Sequence, residues 1–148
     1  MTPSDSDAPP ARLLYVVKQL ELISRGRLDD VLRPTGVTTL QYTALTVLSR
    51  SPRMSSADLA RLSFVRAQST ADLVSNLARQ GLISRTPDPA NRRRLLIDLT
   101  DAGRDLLATY DPLVADLEAE MLADFTADER DVFRDLLRRA RHALALSQ

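Results

Sequence analysis

The 148-residue sequence predicts a mainly α-helical chain with a single small β-hairpin set before its last two helices. Three observations carry this. Apolar residues recur every three to five positions over most of the chain. The pattern switches to two extended segments between residues 82 and 99, and glycine, proline and capping residues fall at the joins.

Taken in order, Pro9 and Pro10 suit the first turn of a helix whose stripe is Leu13, Val16, Val17, Leu20, Ile23, Leu28, Val31 and Leu32; Pro34 and Gly36 end it. Thr38 or Thr39 caps a second helix carrying Leu40, Ala44, Leu45, Val47 and Leu48, which stops before Pro52. Ser55-Ser56-Ala57-Asp58 has capping-box spacing and opens a short third helix with Leu59, Ala60 and Leu62. Ser63-Phe64-Val65 interrupts the pattern. A fourth helix follows from about Ala67 to Gln80, with Leu73, Val74 and Leu77 inward and Gly81 as a left-handed terminator.

Leu82–Thr86 and Leu95–Leu99 then read as strands, the second with Leu95, Ile97 and Leu99 alternating. Pro87, Asp88, Pro89 and Asn91 make the turn between them, and Arg92, Arg93 and Arg94 lie on its return side. Thr100 caps a fifth helix through Leu106, Tyr110, Leu113, Leu117 and Met121, bent by Pro112. Thr126–Glu129 is a second capping box and opens a sixth helix with Val132, Phe133, Leu136, Leu137, Ala140 and Leu144.

Composition narrows the chemistry. There is no cysteine, which removes disulfides, thiolate zinc sites and thiol catalysis, and His142 is the sole histidine. No acidic pair sits in a catalytic setting, so neither an enzyme nor a cofactor or metal site is expected. No apolar run reaches the ~18 residues of a membrane helix. The polar, acidic start Met1–Asp7 has no signal-peptide character, and the expectation is a cytoplasmic protein.

The formal net charge is zero, yet the charge is unevenly placed. Residues 53–104 carry 9 arginines against 5 aspartates, while residues 105–148 carry 5 arginines against 10 acids. A basic middle and an acidic end let one face meet phosphate while another stays clear of it.

A short helix, a tight turn and a polar-faced helix make a helix-turn-helix, whose second helix fits the ~12 Å major groove of DNA. The outward face of the fourth helix offers Gln68, Ser69, Asp72, Ser75, Asn76 and Arg79, of which Gln68, Ser69, Ser75 and Asn76 are suitable base readers. The hairpin behind it projects as a wing, with Arg92, Arg93 and Arg94 in reach of phosphates or a narrow minor groove.

Residues 59–83, LARLSFVRAQSTADLVSNLARQGLI, resemble the helix-turn-helix of the MarR family, and residues 85–103, RTPDPANRRRLLIDLTDAG, resemble its wing and the start of the next helix. Arg85, Asp88, Pro89, Arg93, Leu99, Thr100 and Gly103 match the wing pattern. The chain departs from that pattern at Asn91, where the family has Asp, and at Arg66, where the family usually caps the recognition helix with Ser or Thr. Arg66 would instead bring a cation to the phosphates. Asp72 faces phosphate badly and suits a cytosine amine or a neighbouring arginine.

The resemblance implies a winged helix-turn-helix flanked by long dimerisation helices. A polar tail occupies residues 1–8, the dimerisation region residues 9–35 and 101–146, and the DNA-binding region residues 38–100. It further implies a homodimer on a pseudo-palindromic double-stranded DNA operator, acting as a repressor that a small aromatic or phenolic effector releases. Tyr15, Lys18, Tyr42 and Tyr110 are the polar-aromatic or cationic residues placed for such an effector. The competing reading is a winged-helix module that binds protein and not DNA.

Overall fold

The computed structural model describes residues 10–63 and 67–146. Among the described residues six α-helices and three strands follow in the order α1 (Leu13–Leu32), a 3-10 turn (Arg33–Thr35), α2 (Thr39–Arg50), β1 (Met54–Ser55), α3 (Ser56–Ser63), α4 (Ala67–Arg79), β2 (Ile83–Asp88), β3 (Asn91–Leu99), α5 (Asp101–Met121) and α6 (Ala127–Ala145). The chain divides into two compact units, Met1–Asp111 and Pro112–Gln148, with the division at the proline inside α5.

In the first unit the helix ends are set by local chemistry. Helix α1 begins at Leu13, three residues beyond Pro10; Arg12 adopts an extended backbone there and its carbonyl accepts from Tyr15 N–H at 2.9 Å. Gly36, at φ 71°, ends the 3-10 turn in the left-handed region. Of the two threonines that could cap α2 it is Thr38 that does so, in a full capping box with Gln41.

Helix α4 closes as its sequence predicts. Gly81 sits at φ 72°, Leu82 N–H reaches the Leu77 carbonyl at 3.0 Å, and Gly81 N–H reaches that of Ala78 at 3.0 Å. This paired termination satisfies the last carbonyls and turns the chain directly into β2.

The sheet is antiparallel in the order β1-β3-β2. Strand β1 does not stand out in the sequence, because two residues are too few for a periodic signal; it pairs Met54 with Ile97 and Ser55 with Leu96. The hairpin is also longer than expected. Its strands extend to Asp88 and from Asn91, leaving only Pro89 and Ala90 at the tip. Leu95 is exposed instead of facing the core, since it lies past the end of β1, and Leu96 is buried beside Ile97.

Leu32, Leu45, Leu48, Leu59, Leu77 and Ile97 are the largest fully buried side chains of this unit. One residue or more from each of α1, α2, α3, α4 and β3 therefore meets in a common core, which locks the helix-turn-helix to the sheet. Thr100 caps α5 as expected, accepting from Gly103 N–H at 3.1 Å while donating to the Gly81 carbonyl at 2.5 Å. Thr100 N–H also bonds the Leu82 carbonyl at 3.1 Å. Gly103 completes this joint, because a Cβ there would overlap the Leu82 carbonyl oxygen and crowd Leu99 Cδ2 at 3.2 Å.

In the second unit the Thr126–Glu129 capping box forms as read from the sequence. Phe125 meets Phe133 edge-on with ring centres 5.3 Å apart, and Arg130 donates to the Leu122 carbonyl at 3.0 Å. These contacts turn the short link after α5 back onto the first turns of α6.

Gly103→Ala is expected to destabilise the protein by about 1–3 kcal/mol, because backbone and not a flexible side chain must yield. A thermal melt followed by circular dichroism checks this; an unchanged midpoint would show that the α4–α5 joint is looser than described.

Candidate nucleic-acid interface

Helix α4 turns Leu73, Val74 and Leu77 into the core, and steps of three and four residues leave Ser69, Asp72 and Arg79 exposed on the opposite face. Ser75 and Asn76 sit half-buried at the edge of that face. Arg66 and the side chain of Gln68, both expected to face DNA, lie outside the described residues, as do Phe64 and Val65 between α3 and α4.

Two polar groups of this face already differ in availability. Arg79 donates through Nη2 to Asn76 Oδ1, so the Asn76 acceptor is engaged while its amide N–H groups have no partner among the described residues. Among the described residues no cation pairs with Asp72, so the neighbouring arginine that could neutralise it is not Arg79.

The wing arginines occupy a backbone irregularity. Pro87 faces Leu95 but the next residue, Asp88, faces Asn91, so Arg92, Arg93 and Arg94 have no partner on β2. Extra residues on one strand bend it and re-aim its side chains. All three arginines are exposed. The turn is held by Asp88, whose Oδ1 accepts from Ala90 N–H at 2.9 Å, and by Asn91, whose Oδ1 accepts from Arg93 N–H at 3.3 Å. Asn91 thus orients Arg93 by a neutral bond to its backbone.

The three arginines are not equivalent. Arg94 Nη2 lies 3.3 Å from Asp58 Oδ2, and its Nε lies 3.9 Å from Asp88 Oδ2. Among the described residues no carboxylate stands within ion-pair distance of Arg92 or Arg93. Asp58 also takes Arg61 at 3.5 Å and a hydrogen bond from Ser55 Oγ at 3.0 Å. Its carboxyl is held below the usual range, first by the Ser55 hydroxyl and then by Arg61 and Arg94. Sequence reading missed this pair because 36 residues separate its members and no periodicity links them.

The four residues placed for an effector are scattered in character. Tyr15 and Lys18 are exposed on α1, Lys18 pairing with Glu21 at 3.5 Å. Tyr110 is half-buried on α5. Tyr42 is buried on α2, and its hydroxyl donates to Asp111, the last residue before Pro112. Burial first, and the Asp111 carboxylate second, raise its pKa above the ordinary tyrosine value.

A helix-turn-helix with a polar outward helix face, followed by a three-stranded wing bearing arginines, defines a winged-helix DNA-binding protein. Known proteins agree with the class and specify it. The profile of the MarR family matches residues 35–94. The HTH-type transcriptional repressor Rv2887 of Mycobacterium tuberculosis (strain ATCC 25618 / H37Rv) is 32% identical over 131 residues, which span 88% of this chain and 92% of that protein. The PcaV transcriptional regulator of Streptomyces coelicolor, solved in complex with its natural ligand, superimposes with TM-score 0.77 at 26% identity over 93% of this chain and 99% of PcaV. The MepR–DNA complex of S. aureus, at TM-score 0.82 and 20% identity, shares the fold over 90% of this chain and 99% of MepR.

The chain belongs to the MarR family. It is a DNA-binding transcriptional regulator of the winged-helix type and not an enzyme.

The Tyr42–Asp111 bond between α2 and α5 gives a prediction. Tyr42→Phe should lower stability by about 1 kcal/mol at neutral pH. A raised folded pKa contributes stability below the unfolded value and loses it as pH climbs toward the folded one. The difference between wild type and Tyr42→Phe should therefore shrink above about pH 10. Denaturant titrations at pH 7 and above pH 10 measure it, and equal stabilities at pH 7 would contradict the bond's contribution.

Proposed function

We propose that the protein is a repressor that binds double-stranded DNA in a sequence-specific manner as a homodimer, each protomer placing α4 in a major groove and its wing beside it. The observation that carries this reading is the pair of exposed arginines, Arg92 and Arg93, which meet no carboxylate among the described residues and stand at a bulge in the wing that follows the polar-faced α4. Ser69, Asp72, Ser75, Asn76 and Arg79 are the described residues assigned to the groove, with Arg66 and Gln68 beside them in sequence. A relative named as a repressor at 32% identity and a fold neighbour solved with DNA support the same reading.

Dimerisation accounts for apolar surface that each terminal helix leaves open. On α1 Leu13 is 81% and Ile23 65% exposed, and on α6 Leu144 is 64% exposed. Such helix faces are stable in water when a second copy covers them. Pairing also raises affinity, since the second half-site is met at high effective concentration. We place residues 9–35 and 101–146 in that dimerisation region and residues 38–100 in the DNA-binding region. Among the described residues no helix is long and apolar enough to cross a membrane, and a regulator of DNA belongs in the cytoplasm.

Release by a small aromatic or phenolic effector completes the proposal. PcaV, a similar regulator, was solved with a natural ligand. Tyr15, Lys18, Tyr42 and Tyr110 remain the candidates, with one condition that the geometry adds: an effector anion meeting the Tyr42 hydroxyl must displace Asp111.

Fluorescence anisotropy with the intergenic DNA upstream of the gene, against a scrambled duplex at several salt concentrations, tests the reading. Tight, salt-sensitive binding to the first duplex alone is expected, weakened by aromatic acids. Arg93→Ala should lower affinity strongly and reduce the salt slope by about 1 per protomer. Asn76→Ala should cost about 1–3 kcal/mol on the specific duplex and little on the scrambled one. Weak binding to both duplexes, indifferent to Arg93 and to salt, would favour the protein-interaction module.

A further inference from the structure

Three consecutive arginines in one bulge invite a single role, but their surroundings separate them. Arg94 lies between two carboxylates, Asp58 at 3.3 Å and Asp88 at 3.9 Å, whereas Arg92 and Arg93 meet none among the described residues. We propose that Arg94 is a positioning residue that ties the wing to the first helix of the helix-turn-helix through Asp58, leaving Arg92 and Arg93 to face the DNA backbone. This deepens the DNA-binding reading and rests on it.

The tie is part of a closed circuit of bonds. Asp58 stands in the first turn of α3, where its N–H bonds Ser55 Oγ at 3.2 Å and its carboxylate accepts from the same hydroxyl at 3.0 Å. Ser55 is buried in β1, and β1 pairs with Leu96 and Ile97 of β3. Strand β3 leads back to Arg94. Backbone pairing to β1 ends at Leu96, so beyond it the hairpin has no third strand to fix its angle. The Asp58–Arg94 bond lies two residues past that end, where the bulge leaves the direction of the wing undetermined by the ladder.

Charge gives the second argument. Asp58 and Asp88 face Arg94 and Arg61, so this corner of the wing is neutral as a group. A cation already held by carboxylates displaces few counterions from DNA. Asp58 and Arg94 are 42% and 47% exposed, so the bond contributes little to overall stability and its effect should appear in wing geometry.

The two possible roles predict opposite signs. If Arg94 were a phosphate contact and Asp58 a mere neighbour, removing the Asp58 charge would tighten DNA binding by removing repulsion. If the pair positions the wing, the same change weakens binding. Asp58→Asn keeps the backbone N–H that Ser55 Oγ caps and an oxygen to accept from the Ser55 hydroxyl, so the helix start is preserved.

The experiment compares wild type, Asp58→Asn, Arg94→Gln and the double variant on a duplex enriched from random sequence by the wild-type protein. Each single variant should weaken binding by about threefold to tenfold, and the double variant should bind no worse than either. Tightening by Asp58→Asn, or an Arg94→Gln loss of equal size in the Asp58→Asn background, would overturn the proposal. Hydrogen exchange of the free protein gives a readout independent of DNA. Both single variants should speed exchange of amides from Arg92 to Leu95 without moving the thermal midpoint by more than about 2 °C. Unchanged exchange would also overturn the tie. A wild-type protein that enriches no duplex, but shows the exchange effect, would instead refute the DNA-binding reading.

Discussion

The arrangement of this molecule depends on one close approach, that of the first turn of α5 to the carbonyl of Leu82. Gly81 ends α4 in a left-handed turn, and the carbonyls of Gly81 and Leu82 are then both taken by Thr100. Gly103 allows the α5 backbone to lie against the same carbonyl. Four sequence positions thus join the end of α4, the base of the wing and the start of the long helix that follows. The angle between α4 and the base of the wing therefore cannot vary freely, and the DNA surface proposed for the two needs that constancy.

On this base the wing is built with graded rigidity. Near the core, β3 is flanked on both sides, and Ile97 is buried completely. Further out, β1 ends and then the ladder to β2 breaks at Arg92–Arg94. Polar bonds from Asp58, Asp88 and Asn91 take over where hydrophobic packing stops. A tip held by polar bonds can exchange some of them for phosphate contacts, which a tip buried in the core could not do.

Much of this was legible in the sequence, and the reasons differ by element. The termini of α2, α4, α5 and α6 were readable because capping chemistry is local: Thr38, Gly81, Thr100 and Thr126 each act on residues within a turn. The change of period after Gly81 exposed the hairpin. Strand β1 was not readable, since two residues carry no period, and the exposure of Leu95 follows from where that strand ends. The Asp58–Arg94 pair and the Tyr42–Asp111 bond were likewise invisible, being contacts between segments 36 and 69 residues apart. The arginines themselves were found, but the difference between Arg94 and its neighbours required their surroundings.

The central claim is that the α4 face and the wing form one continuous DNA surface. Hydroxyl-radical footprinting on a duplex enriched from random sequence tests it most directly. The account predicts two protected blocks about one helical turn, ~10 base pairs, apart or a multiple of it, with flanking protection that Arg92→Ala/Arg93→Ala removes while the central blocks persist. A single unflanked block, or a pattern unaltered by the loss of both arginines, would contradict it.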